Sequence, residues 1–146
     1  MAITFSTCGS CGGVGGAPFT DGQTGGRSIA EVRIRSGAFI DAIQIVYVDD
    51  ATGETITNPR HGGSGGKLDV FKLAPKEYIT EVGGKHGWYI DSLWIKTNKG
   101  RTSKKYGGAG GAVTFTLQAP PGTRIHGFFG RAGNYLDAIG VIMRTP

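Results

Sequence analysis

Along this chain apolar residues recur at every second position in short runs, and glycine, proline and asparagine punctuate the gaps. Residues 29–35 alternate well, in the order Ile29-Ala30-Glu31-Val32-Arg33-Ile34-Arg35, and residues 43–48 do so in part. Comparable runs cover 68–73, 78–82, 92–96, 112–117, 125–129 and 138–142. A period of two marks a strand with one buried face, and short strands with regular turn signals imply an all-β domain. No segment sustains an apolar stripe at i, i+3, i+4 and i+7, so no permanent helix is expected.

Two motifs repeat in phase along these strands. Gly-x-aromatic-aliphatic-Asp occurs as Gly37-Ala38-Phe39-Ile40-Asp41, Gly87-Trp88-Tyr89-Ile90-Asp91 and Gly133-Asn134-Tyr135-Leu136-Asp137. Gly-Gly-x-Gly-Gly occurs at 12–16, 62–66 and 107–111. Both series step by about 50 and then about 46 residues, the spacing of an internal repeat. Asp41 and Asp91 are each followed by a glycine loop, whereas the third Asp motif has none after it and the first loop has no Asp motif before it. Joining the ends completes the third unit, so the N-terminal strand should close a sheet with the C-terminal strands. Three units that cannot each bury a sheet face alone are expected to pack as a three-sided prism of antiparallel sheets.

Composition narrows the function classes. The 146 residues fit a single domain spanning 1–146. The 27 glycines sit in fixed clusters between apolar runs, which reads as turns rather than low complexity. The net charge is +5, but its residues alternate with apolar ones as on solvated strand faces. The one tight cluster spans 99–105, so nucleic acid is not the expected partner. No apolar run is long enough for a membrane span and no leader follows Met1. The chain is therefore expected to be soluble, in a cytoplasmic or vacuolar-type compartment, with secretion left open. Cys8 and Cys11 lack the helix start that redox pairs use, and His61, His86 and His126 lack metal-ligand spacing. They read as ordinary thiols with no metal or other cofactor; a strained local disulfide under oxidising conditions stays open.

The repeated motifs suit binding better than catalysis. A carboxylate accepts strong hydrogen bonds from two neighbouring hydroxyls. Turn N–H groups can donate to a ring oxygen, and glycine lets a ligand approach the main chain closely. The aromatic residue can brace the turn or face a ring. These are parts for gripping a polyhydroxylated ring. Glycoside hydrolysis needs two carboxylates about one bond, and each unit supplies one, so no enzyme is expected. The glycine loop at 107–111 lacks the Lys-Ser/Thr ending of a phosphate loop. The alternative is a structural or protein-interaction module whose turns are only turns.

The chain resembles the jacalin-related lectins, and the resemblance covers nearly all of it. It rests on the glycine loop at 12–16 with Phe19 and Asp21, on Thr97-Asn98-Lys99-Gly100-Arg101-Thr102, on Tyr106-Gly107, and above all on the stretch 127–140. That last stretch is similar to the mannose-binding branch. The resemblance implies a β-prism I fold of three four-stranded antiparallel Greek-key sheets about a pseudo-threefold axis, and metal-free binding of mannose- and glucose-type glycans and glycoproteins. It implies a first site in which the Gly16 backbone donates, the turn from Gly133 offers the Asn134 and Tyr135 N–H groups, and Asp137 grips two sugar hydroxyls. This sequence resembles members with three sites. Site two is then Gly66 with Ala38, Phe39 and Asp41, and site three is Gly111 with Trp88, Tyr89 and Asp91. Trp88 stands where relatives often carry a small or polar residue, and Cys11 where they often carry Trp. The unbroken chain through Gly16 favours mannose over galactose. A homodimer or higher oligomer formed through an exposed sheet would raise valency.

Overall fold

The computed structural model describes residues 2–146, and every regular element in them is a strand. In chain order these are β1 (Phe5–Gly12), β2 (Ala17–Thr20), β3 (Arg27–Ser36), β4 (Ile40–Asp49), β5 (Thr55–Thr57), β6 (His61–Gly62), β7 (Lys67–Lys72), β8 (Ile79–His86), β9 (Ile90–Thr97), β10 (Tyr106–Gly107), β11 (Val113–Gln118), β12 (Arg124–Ala132) and β13 (Leu136–Arg144). The alternating runs anticipated the long strands except β1, which only the incomplete repeat implied. The short pieces β2, β5, β6 and β10 carry too few residues to show a period.

Pairing follows the repeat. The β3–β4 hairpin takes β7 against β3 and the β5 and β6 pieces against β4. The β8–β9 hairpin takes β11 and β10 in the same places. The β12–β13 hairpin takes β2 and β1, so the chain's two ends share one sheet, as the incomplete repeat required. Each sheet thus has the spatial order fourth, first, second, third, which is the Greek key. The single pair Ile79–Ile125 joins two of the sheets.

The core is threefold as well. Ile40, Ile90 and Leu136 are buried at equivalent positions, followed by Ile43, Leu93 and Ile139, and then by Ile45, Ile95 and Val141. All nine are 0–1% exposed. Within each unit the first two of these positions lie three residues apart (Ile40 and Ile43, Ile90 and Leu93, Leu136 and Ile139), which a strict two-residue period forbids. The reason is a β-bulge. Arg35 pairs with Ala42 and Ser36 with Ile40, skipping Asp41. Lys85 with Ser92 and His86 with Ile90 skip Asp91. Arg131 with Ala138 and Ala132 with Leu136 skip Asp137. Each motif aspartate is the extra residue of its hairpin, and a bulge re-aims the side chain it carries.

At the far end of β9 from its bulge, buried Glu77 ties the 97–102 turn down. Arg101 donates to both its carboxylate oxygens at 3.0 Å, the Thr97 hydroxyl donates at 2.7 Å and the Ala74 N–H at 2.9 Å. Lys104 meets Asp69 at 2.9 Å, so two charges of the basic cluster at 99–105 have acidic partners. The Arg101 bonds lead in holding the Glu77 carboxyl down from 4.5 to about 2. A depressed carboxyl contributes stability that is present above its unfolded pKa and lost as pH falls through the folded one. Melting temperature should therefore drop as pH falls from 4.5 towards 2. Glu77→Gln should flatten that slope while lowering stability at pH 7 by about 1–2 kcal/mol, both read from thermal melts across pH.

Candidate functional site

Each bulged aspartate holds a glycine loop at two points. Its backbone carbonyl accepts from the loop's second glycine: Gly13 to Asp137 at 2.8 Å, Gly63 to Asp41 at 2.9 Å and Gly108 to Asp91 at 2.9 Å. Its carboxylate lies along the loop's last two glycines. A Cβ on Gly15 or Gly16 would sit 2.7 or 2.6 Å from an Asp137 carboxylate oxygen. The values are 2.8 and 2.5 Å for Gly65 and Gly66 at Asp41, and 2.9 and 3.1 Å for Gly110 and Gly111 at Asp91. The sequence-predicted partners Gly16 with Asp137, Gly66 with Asp41 and Gly111 with Asp91 are thus neighbours, and only glycine leaves room beside the carboxylate.

The turns supply donors. Gly37, Gly87 and Gly133 donate to the carbonyls of Phe39, Tyr89 and Tyr135, closing each turn on itself. Gly87 also donates to Asp91 Oδ1 at 3.0 Å. Among the described residues, no protein acceptor meets the N–H groups of Ala38, Phe39, Trp88, Tyr89, Asn134 or Tyr135. The aromatic rings brace one another: the Phe39, Tyr89 and Tyr135 centroids are 4.9–5.2 Å apart in tilted or edge-on pairs. They therefore form a plug about the axis.

The units interlock around that plug. A Cβ on Gly13 would meet the Trp88 carbonyl, on Gly63 the Asn134 carbonyl, and on Gly108 the Ala38 carbonyl, all within 2.4 Å. Each loop thus rests on the turn of another unit, in a closed cycle. Two depressions open there. One, of about 500 Å³, is lined by Trp88, Asp91 and Gly111 and reaches Gly15 and Asp137. The other, of about 300 Å³, is lined by Asp41, Gly65, Asn134 and Tyr135.

Sequence reasoning missed two supporting arginines. Arg131 donates from Nε to the Gly15 carbonyl at 3.0 Å and from Nη2 to the Gly16 carbonyl at 2.8 Å. Arg35 does the same to Gly65 and Gly66 at 2.9 and 3.3 Å. Both stand two residues before a turn glycine, and that phase was the available signal. Lys85 holds the same place in the third unit and lacks the planar fork needed for paired bonds. Burial pushes the Asp41 and Asp137 carboxyls up, opposed by Arg35 and Arg131 respectively, with the Gly133 N–H also opposing at Asp137.

Other singled-out residues lie elsewhere. Asp21 accepts from the Phe128 N–H at 2.9 Å and meets His61 Nε2 at 2.9 Å, and His61 stacks on Phe19 at 4.1 Å. That cluster fastens the end of β2. Cys8 and Cys11 are half-buried free thiols opposite Val141 and Ile139, on either side of a register shift, and no helix follows them. The described residues contain no grouping of three or more His, Cys, Asp and Glu arranged for a metal.

Each of the three units thus brings together a carboxylate, turn N–H groups without a protein partner and a loop without Cβ atoms beside it. Residues 8–142 match the family described as the jacalin-like lectin domain. Horcolin of Hordeum vulgare is 37% identical over 143 residues, 94% of this chain and 95% of that protein. The wild-type Malaysian banana lectin structure superposes with a TM-score of 0.85 at 33% identity, covering 98% of this chain and 100% of that one. Artocarpin solved with mannotriose gives 0.83 at 32% identity, covering 94% and 96%.

The loop geometry makes a stability prediction. Gly16 has φ +70° and its Cβ would collide with the Ala132 carbonyl as well as with Asp137, whereas Gly22 has φ +84° and open space around it. Gly22→Ala should cost about 1 kcal/mol from backbone strain alone, and Gly16→Ala at least about 2–3 kcal/mol from strain plus overpacking. Urea unfolding of the two variants measures the difference.

Proposed function

The chain belongs to the jacalin-like lectin family, and from that premise we propose that it binds mannose- and glucose-type sugars reversibly, without metal, at three sites per chain. The observation that carries the reading is the threefold recurrence of one geometry: a bulged aspartate beside two glycines that leave its carboxylate reachable. The carboxylate accepts from two adjacent sugar hydroxyls. The free N–H groups of Asn134 and Tyr135, of Ala38 and Phe39, and of Trp88 and Tyr89 donate to ring or hydroxyl oxygens. Gly16, Gly66 and Gly111 let the ring approach. The artocarpin likeness supports a mannose-type ligand. With one carboxylate in each grip there is no acid–base pair across a glycosidic bond, so the site holds sugars without cleaving them.

A few hydrogen bonds to a small, well-hydrated ligand give millimolar binding, about −4 kcal/mol. Strong attachment to glycoproteins then comes from several sites engaging one branched glycan or surface.

Calorimetric titration with mannose should return about three equivalents per chain, and Asp41→Ala, Asp91→Ala and Asp137→Ala should each remove one. A wild-type value of one would leave a single working turn. Acid should weaken the Asp41 and Asp137 sites from above the usual carboxylate range, because a protonated carboxyl loses acceptor strength and burial has raised both groups. A raised folded-state pKa favours the fold only at low pH, and that contribution is lost as pH rises through it. Asp137→Asn should therefore abolish its site at pH 7 with melting temperature unchanged or higher; a large drop in melting temperature would make this aspartate a structural residue.

A further inference from the structure

The outer faces of the three sheets break the threefold pattern that their cores obey. On β3, Val32 and Ile34 are buried, so Arg33 and Arg35 rise from the opposite, outer face. Arg33 stands between Val70 and Gln44 in the ladder, and Arg35 between Leu68 and Ala42. Arg60, in the link between β5 and β6, closes the far side. With Ala42, Gln44 and Leu68 the three arginines line a hollow of about 210 Å³. The other units fill this place. Gly83 and Trp94 hold the positions of Arg33 and Gln44 in the second, and the Trp94 ring covers Gly83 so closely that a Cβ there would strike it. In the third, the Phe129 ring covers Gly140 in the same way. The first unit has neither the ring nor the glycine, so the repeat does not call for arginines here.

Their donors are only partly used. Arg33 gives Nε to Glu31 at 2.7 Å, and Arg35 gives Nε and Nη2 to the Gly65 and Gly66 carbonyls. Among the described residues no protein acceptor meets either Nη of Arg33, Nη1 of Arg35 or any nitrogen of Arg60. Glu31 is the one carboxylate there within ion-pair distance of the three, and Lys72 stands beside it in the ladder. Like charges gathered at one place repel one another and oppose the compact state.

We propose that this hollow is an anion site that takes a tetrahedral oxyanion of the sulfate or phosphate class, free or carried as an ester. Guanidinium forks match such oxygens, and bonds to a charged acceptor are the stronger kind. A carboxylate offers two oxygens to three forks; a tetrahedral oxyanion offers three or four. Arg33 and Arg35 reach it from one side and Arg60 from the other. Ala42 and Leu68, the latter 47% exposed, form an apolar wall that the carbon part of an ester can cover. The site lies outside the sugar grips and does not depend on them.

The test exchanges sodium chloride for sodium sulfate at constant ionic strength and follows arginine side-chain N–H signals of the full chain by NMR. Arg33, Arg35 and Arg60 should shift together along one saturating curve. Arg131 is the internal control: it makes the same paired bonds to its loop as Arg35, with Phe129 where Arg33 stands, and should not saturate. Arg60→Gln, an exposed change outside the grips, should weaken sulfate binding by about tenfold or more, as loss of a charge-assisted bond does, with melting temperature and mannose titration unchanged. Phenyl phosphate against inorganic phosphate identifies the source: tighter binding of the ester assigns the site to an esterified ligand, and equal or weaker binding assigns it to the free ion. Absence of saturation, equal shifts at Arg131, or a curve unaltered in Arg60→Gln overturns the proposal. None of the anion readouts involves a sugar, so this outcome is separate from that of the lectin reading.

Discussion

One extra residue in each hairpin governs the rest of the molecule. The bulge at Asp41, Asp91 and Asp137 lets the aliphatic residues at −1 and +2 both face the core. It takes the aspartate out of the ladder, so its carbonyl is free to accept from Gly63, Gly108 or Gly13. A bulge leaves backbone groups without ladder partners, and those groups must be satisfied elsewhere. Here the glycine loop satisfies them, and in doing so it is drawn across the carboxylate. Remove the extra residue and every side chain beyond it would change face, which the buried Ile43, Leu93 and Ile139 forbid. Core packing, loop position and carboxylate exposure are consequences of a single register shift.

The second constraint is contact between units. Each glycine loop lies on a turn that belongs to another repeat, and the three aromatic side chains of those turns touch one another on the axis. No unit can therefore form its grip alone. The geometry also explains why the glycines are of two kinds. Gly13, Gly63 and Gly108 are required by close approach to a neighbouring carbonyl, while Gly16 and Gly66 combine positive φ with contact against the carboxylate of their own unit. An alanine at either kind would push apart elements that the site needs together.

Much of this was legible in the chain. Alternation showed the long strands other than β1, and the phase of two motifs showed three units and the closure of an N-terminal strand on the C-terminal ones. The bulge was written in the spacing of Ile40-Asp41-Ala42-Ile43, Ile90-Asp91-Ser92-Leu93 and Leu136-Asp137-Ala138-Ile139, where core residues three apart break a two-residue period. What could not be read was non-local. Nothing in the neighbourhood of Gly13 names Trp88 as its contact, because 75 positions separate them along the chain. The roles of Arg35 and Arg131 were hidden for a related reason. An arginine on an alternating strand looks like a solvated face until the partner carbonyls are in view. The aromatic residues were equally ambiguous, since bracing a turn and facing a ligand call for the same residue type.

The three grips are copies in backbone but not in electrostatics. At Asp41 and Asp137 a guanidinium holds the loop carbonyls and offsets part of the desolvation that burial imposes on the carboxylate. At Asp91 the lysine in that position makes no such paired bonds, and the carboxylate takes a bond from the Gly87 N–H. A carboxylate buried to this degree, yet open to one side, is poorly served by bulk water and by the protein alone. Under the proposed function, hydroxyls arriving in pairs supply the missing donors without requiring the carboxylate to move. Desolvation, which opposes folding, would then be part of what such a ligand relieves. The apolar core about the axis carries three such groups at once, and under the proposed function repetition turns individually weak contacts into attachment.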